Sequence, residues 1–236
     1  MIGPPPLLLA LVVALTGDPV GDYRAGLAAE KAGDDATAAR LLGRAMAEAP
    51  AWELPPIDLA QLRLREGQAA QARELAAGAV RLDAANARGW HLLSLSAEAT
   101  GDAAVAEQAE RRALALRPEF PGAGRHLAQL LWNEGKHGPA IDELLQLAGA
   151  HPGDASLLAM LASAEEEDGR LDAAEQALRL LAEMEPKNPV WHRRLGRLLE
   201  GEGKTAAARV ELARAEQLSG PHRASRHLRP LLPSKR

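Results

Sequence analysis

The sequence predicts an all-α solenoid of six helix-turn-helix repeats, and three observations carry that prediction. Ala and Leu dominate a chain of 236 residues that is 47% hydrophobic but only 3% aromatic, a composition of strong helix formers rather than strand formers. Gly33, Gly67, Gly101, Gly135, Gly169 and Gly203 recur every 34 residues without an insertion or deletion, the mark of a repeat architecture. On either side of each of these glycines, apolar residues fall three and four apart, the period of one helix face.

The repeats are expected at 19–52, 53–86, 87–120, 121–154, 155–188 and 189–222. Within each, a first amphipathic helix ends at the recurrent Gly, a residue that tolerates the left-handed conformation past a helix end. A second helix follows. Small residues at Gly26, Ala60, Ser94, Ala128, Ala162 and Gly196 in the first helices, and Ala38, Ala72, Ala106, Ala140, Ala174 and Ala208 in the second, let the two axes approach closely. Pro50, Pro118, Pro152 and Pro186 share one phase and should stop the second helix or start the next repeat. In the second repeat, Leu54-Pro55-Pro56 predicts a late start to the first helix, near Ile57, and looser packing between the first and third repeats. The third repeat carries the poorest match in its second helix: Glu110 stands where four other repeats have Leu42, Leu144, Leu178 and Leu212. No single hairpin can bury its apolar face alone, so neighbours must stack.

The third repeat also holds Trp90, Leu93, Ser94, Ala97, Gly101, Ala106, Ala113 and Pro118. That pattern, on a 34-residue period, resembles the tetratricopeptide repeat, and the resemblance covers residues 19–222. It implies a right-handed solenoid whose first helices line a concave groove for an extended or helical peptide. Carried onto this chain, the groove positions include Arg88, His91, Arg125, Gln129, Trp132, Arg193 and Arg197. Arg can grip a carboxylate with two parallel hydrogen bonds, and Trp beside Arg is a frequent anchor pair at interfaces. The ordinary readings are packing between consecutive helices for Trp132, and ion pairs with Glu98 or a similar residue for Arg88 and Arg125. The subtype that clamps a C-terminal carboxylate with Lys and Asn is not supported, because no Asn occupies the matching positions.

Other chemistry finds little footing. Without Cys there is no disulfide, zinc-thiolate site or thiol nucleophile. A net charge of −4 argues against nucleic acid as a partner. Gly201-Glu202-Gly203-Lys204-Thr205 lacks the upstream Gly of a phosphate loop, the slot being Leu198. The seven His are scattered, with no pair at the i, i+4 spacing of a helical zinc motif, and read as surface or groove side chains. The expectation is therefore a non-catalytic protein with no metal, cofactor or small-molecule substrate. The run Glu165-Glu166-Glu167-Asp168 sits at a helix C-terminus, where the macrodipole disfavours negative charge. Arg193, Arg194 and Arg197 of the next repeat are the expected counterweight.

The two ends differ in kind from the array. Residues 1–18 hold the apolar run Leu7–Leu15, read as a secretory-signal core or a degenerate half-repeat, with export the favoured reading. Residues 223–236 carry Arg223, Arg226, Arg229, Lys235 and Arg236 and no acid, a basic tail or short cap. Either end is a candidate for membrane contact. The leading functional expectation is a scaffold that holds a protein or peptide in its groove, for assembly of an envelope or secreted complex. The alternatives are a self-associating structural solenoid and an accessory subunit of a separately encoded enzyme.

Overall fold

A computed structural model describes residues 17–220. The apolar N-terminal run and the basic tail, and with them the readings of export and membrane contact, lie outside the described residues. Among the described residues there are twelve α-helices and no strand. They form six hairpins in chain order: α1 (Pro19–Lys31) with α2 (Asp35–Glu48), α3 (Leu54–Arg65) with α4 (Ala69–Leu82), and α5 (Ala87–Ala99) with α6 (Ala103–Leu116). Then come α7 (Pro121–Asn133) with α8 (His137–Ala150), α9 (Ala155–Glu167) with α10 (Leu171–Met184), and α11 (Pro189–Gly201) with α12 (Thr205–Ser219). The fold is all-α, of the solenoid class. Its residues gather into two compact bodies, one ending at Leu130 and the other beginning at Leu131. No helix among the described residues is long and apolar enough to cross a membrane.

The recurrent glycines act as their period predicts. All six interhelix glycines have positive φ, between 75° and 82°, a conformation that costs any residue with a Cβ about 1–2 kcal/mol. At the first turn, Gly33 N–H donates to Glu30 O at 3.0 Å and Asp34 N–H to Ala29 O at 2.9 Å. This two-bond closure satisfies carbonyls that the helix end would leave bare. Asp34 then caps the following helix, its carboxylate accepting from Thr37 N–H at 3.0 Å, and Asp102 repeats the arrangement on Val105. One Gly-Asp pair thus ends one helix and begins the next. The recurrent prolines fall in the turns that follow the second helices.

The expected late start of α3 is corrected. The helix begins at Leu54, with both prolines in its first turn and both buried. N–H groups in a first turn have no intrahelical acceptor, so proline removes nothing there. The early start brings Ile57 into the packing between the second and third repeats. Ile57 is fully buried in a cluster with Ala60, Ala76, Ala79, Val80, Leu92, Leu93 and Ala109. Gly89 lets α5 approach, since a Cβ there would lie 3.2 Å from Val80 Cγ1.

The small-residue prediction holds in both bodies. In the N-terminal body a Cβ on Gly26 would meet Leu42 at 3.1 Å; in the C-terminal body one on Gly196 would come within 2.7 Å of Leu212. The C-terminal body is centred on Leu158, Leu178, Leu181, Leu195 and Leu199, with Trp191 packed against them. Each fully buried Leu or Ile contributes roughly 1.5–3 kcal/mol by leaving water.

Candidate functional site

In the N-terminal body, polar side chains link the first helices α1, α3 and α5. Arg88 on α5 forms an ion pair with Asp58 on α3 at 2.7 Å and donates to Gln61 of the same helix. Asp58 is buried and also accepts from the Tyr23 hydroxyl of α1 at 2.6 Å. Burial, and then the hydrogen bond to the Asp58 carboxylate, push the Tyr23 phenol well above its usual range. The partner of Arg88 is therefore Asp58, not Glu98. The cause is position: Asp58 lies on the first helix of the preceding repeat, and its burial makes pairing obligatory.

Glu98 is engaged elsewhere, in a cluster that spacing along a single helix did not reveal. His91 Nδ1 lies 2.6 Å from Glu110 Oε1, and His126 Nδ1 lies 3.2 Å from Glu110 Oε2. His126 Nε2 lies 2.9 Å from Glu98 Oε2. Ser94 Oγ sits 3.2 Å from His126 Nδ1 and donates to Ala106 O at 2.8 Å. Phe120 meets His91 edge-on at 5.0 Å, and the two histidine rings stand 5.9 Å apart at 80°. Glu110 is 0% exposed, His91 15% and His126 10%. Burial alone would raise the Glu110 pKa, but hydrogen bonds from His126 and His91 outweigh it and hold the carboxyl below its usual range. Burial likewise opposes charge on His126, and the bonds to Glu110 and Glu98 outweigh it, raising its pKa. Both ring nitrogens of His126 thus face carboxylate oxygens, one on Glu110 and one on Glu98. One ring nitrogen of each histidine and a Glu110 oxygen lie within 4.8 Å of one another, a spacing from which a metal ion could be held.

The reading of all seven histidines as scattered is corrected for this pair. His91 and His126 are separated by one repeat plus one residue, a distance that stacked hairpins close and that a single helix cannot. The available signal was Glu110, a carboxylate in a slot otherwise filled by Leu.

The remaining predicted positions are placed as follows. Arg125 is partly buried and Gln129 exposed on α7, and both are engaged with neighbours. Trp132 stacks on His137 at 4.0 Å and 11°, so one ring face is covered within its own hairpin. Arg193 is exposed and donates to Ser219 at 3.0 Å; Arg197 is exposed. Of the three arginines expected to offset the acidic run, Arg194 does so, at 2.7 Å from Glu166 and 3.0 Å from Ser163. Glu165 is buried with Oε2 unpartnered, and burial pushes its carboxyl up. Lys204 of the loop-like Gly201–Thr205 stretch is bound to Glu175 at 2.5 Å and Glu202 at 3.2 Å.

The tetratricopeptide repeat profile matches residues 57–123 and 126–189, more than half of the chain. No curated protein matches it in sequence. Solved structures share the fold. A tetratricopeptide repeat protein from Parabacteroides merdae ATCC 43184 superposes with a TM-score of 0.66 at 17% identity, over 86% of this chain and 80% of that one. YrrB, described as a TPR protein with an unusual peptide-binding site, gives 0.64 at 17%, over 77% and 93%. MamA gives 0.64 at 22%, over 72% and 92%. With six positive-φ glycines on one period, six hairpins and a matching profile, the chain belongs to the tetratricopeptide repeat family.

Proposed function

We propose that the protein is a protein–protein interaction scaffold that holds a peptide segment against the first-helix face of its N-terminal body. The observation that carries this reading is the Tyr23–Asp58–Arg88–Gln61 network, which pins an Arg side chain that is still 40% exposed. A side chain already fixed in one geometry loses less entropy on binding. Asp58 neutralises much of the Arg88 charge, so the segment held there is polar rather than strongly acidic. YrrB is described as having a peptide-binding site, which supports the reading by analogy.

The test begins with crosslinking from the native source, followed by calorimetry on the peptide mapped. Arg125→Ala and Arg88→Ala should each weaken binding by roughly 1–3 kcal/mol, the range for a charge-assisted contact. Changes at Glu107 or Arg179 should do little. The reverse pattern would overturn the proposal. A setting in assembly of an envelope or secreted complex rests on the apolar run 7–15 alone. Intact mass of the native protein supports it if residues 1–17 are missing. Met1 or Ile2 as the mature start in a soluble cytoplasmic fraction overturns it.

A further inference from the structure

We propose that His91, Glu110 and His126 form a binding site for a divalent first-row transition metal, zinc foremost, inside the N-terminal body. Three helices, α5, α6 and α7, each supply one ligand, and the ligating atoms already lie within 4.8 Å of one another. Nitrogen and oxygen ligands about 2.0–2.2 Å from a tetrahedral zinc stand roughly 3.3 Å apart. Side-chain rotation alone has to open the 2.6 Å contact between His91 and Glu110 and draw in the widest pair.

The donor set selects the class of metal. Two imidazoles and one carboxylate suit zinc and its first-row neighbours, whereas calcium and magnesium prefer all-oxygen shells. Three protein ligands leave a fourth position for water or for a side chain of a partner. The outer shell is also in place. His126 gives Nε2–H to Glu98 at 2.9 Å, the carboxylate–histidine arrangement that fixes a ligating ring and leaves Nδ1 to face the metal. Phe120 packs against His91 and limits its rotation. The histidines are partly exposed and Glu98 is 40% exposed, which gives an entry path.

The proton balance follows from the geometry. Both Nδ1 atoms now face the Glu110 carboxylate, which can only accept, so each carries a proton. On binding, His126 releases its Nδ1 proton to solvent and keeps Nε2–H on Glu98. His91 must likewise present an unprotonated ring nitrogen to the ion. The ion thus takes the place of two hydrogen bonds to a wholly buried carboxylate.

The chain carries its own control. His192 and Glu211 pair at 2.8 Å with the same 19-residue separation as His91 and Glu110, but His192 Nε2 faces the Pro186 carbonyl. Among the described residues no other three such donors converge.

The full chain, stripped with chelator and carrying no histidine tag, should be titrated with zinc chloride by calorimetry and with cobalt chloride by visible absorption. One saturable zinc per chain, a tetrahedral cobalt spectrum and a melting temperature that rises with zinc are expected. Glu98→Gln should weaken binding about 10–100-fold, the range for an outer-shell partner. His91→Ala and His126→Ala should weaken it further, and His192→Ala should leave it unchanged. Circular dichroism verifies that each variant is folded, and the partly exposed His91 serves as the decisive position if Glu110 variants do not fold. Absence of saturable binding, or binding that survives both His91→Ala and His126→Ala, overturns the site.

Discussion

The third and sixth hairpins start from the same local pairing and end in different environments. Each places a His on its first helix and a Glu on its second, 19 residues later, with Nδ1 against the carboxylate: His91 with Glu110 at 2.6 Å, His192 with Glu211 at 2.8 Å. The 19-residue spacing is shared but the register is not: the sixth pair lies one position earlier, and Arg193 and Leu212 fill the slots of His91 and Glu110. In the third hairpin the Glu is 0% exposed, and α7 closes over it with His126. In the sixth the Glu side chain is 23% exposed, and no described helix follows α12. The His192–Glu211 pair is a modest surface pair; Glu110 stands in a slot that is buried as Leu42, Leu144 and Leu178 in other repeats, and His126 of the next hairpin completes a buried charge cluster around it.

The sharpest way to break this comparison is to remove the two carboxylates separately. Glu110→Ala strands two partly buried histidines and should cost about 3–5 kcal/mol, as loss of the buried member of an ion cluster does. Equal denaturant midpoints for Glu110→Ala and Glu211→Ala would mean that burial adds nothing.

Features shared by the two hairpins should respond alike. Ala106 and Ala208, 0% and 2% exposed, stand at the same closest-approach position. Replacing either by Leu should overpack the helix pair and cost about 1–3 kcal/mol. Gly101 and Gly203 both have positive φ, 82° and 76°, and a Cβ on either meets nothing within 4 Å. Ala at either should cost about 1–2 kcal/mol from backbone strain alone. Thermal melts that separate the members of either pair would point to different hairpin packing rather than to polar chemistry. Glu211→Ala comes next, at less than about 1 kcal/mol, because a partly exposed pair is screened.

The smallest effect comes from a buried glutamate without histidines. Burial raises the Glu165 carboxyl pKa, so the unfolded chain ionises first as pH rises. Stability is highest below the unfolded pKa, near 4, falls between the unfolded and folded values, and is level above them. Glu165→Gln should therefore raise the melting temperature slightly at pH 7 and leave it unchanged near pH 4. A gain that persists at low pH would show that packing, not charge, limits that site.

Much of the fold was legible because its signals are local. A glycine every 34 residues, followed at Asp34 and Asp102 by a carboxylate that caps the next helix, states where each hairpin turns. Pro55-Pro56 misled because proline breaks a helix interior but fits a first turn, and the boundary depends on where Leu54 packs. The site was less legible. Glu110 stood out as a misfit, but its partners sit on two other helices, and a rule about spacing along one helix does not find them. Arg88 was expected to pair with Glu98 or a similar residue, and it pairs with Asp58, buried on the first helix of the preceding repeat.

Period, turn chemistry and the small residues at helix crossings follow from steric limits on the backbone and on close approach, which act within one hairpin and can be read in order along the chain. Which charges meet depends on how one hairpin lies on the next. His91 and His126 are 35 residues apart in the chain yet share one carboxylate, because stacking, driven by apolar burial that takes no account of those side chains, removes water from Glu110 and leaves the two rings as its partners.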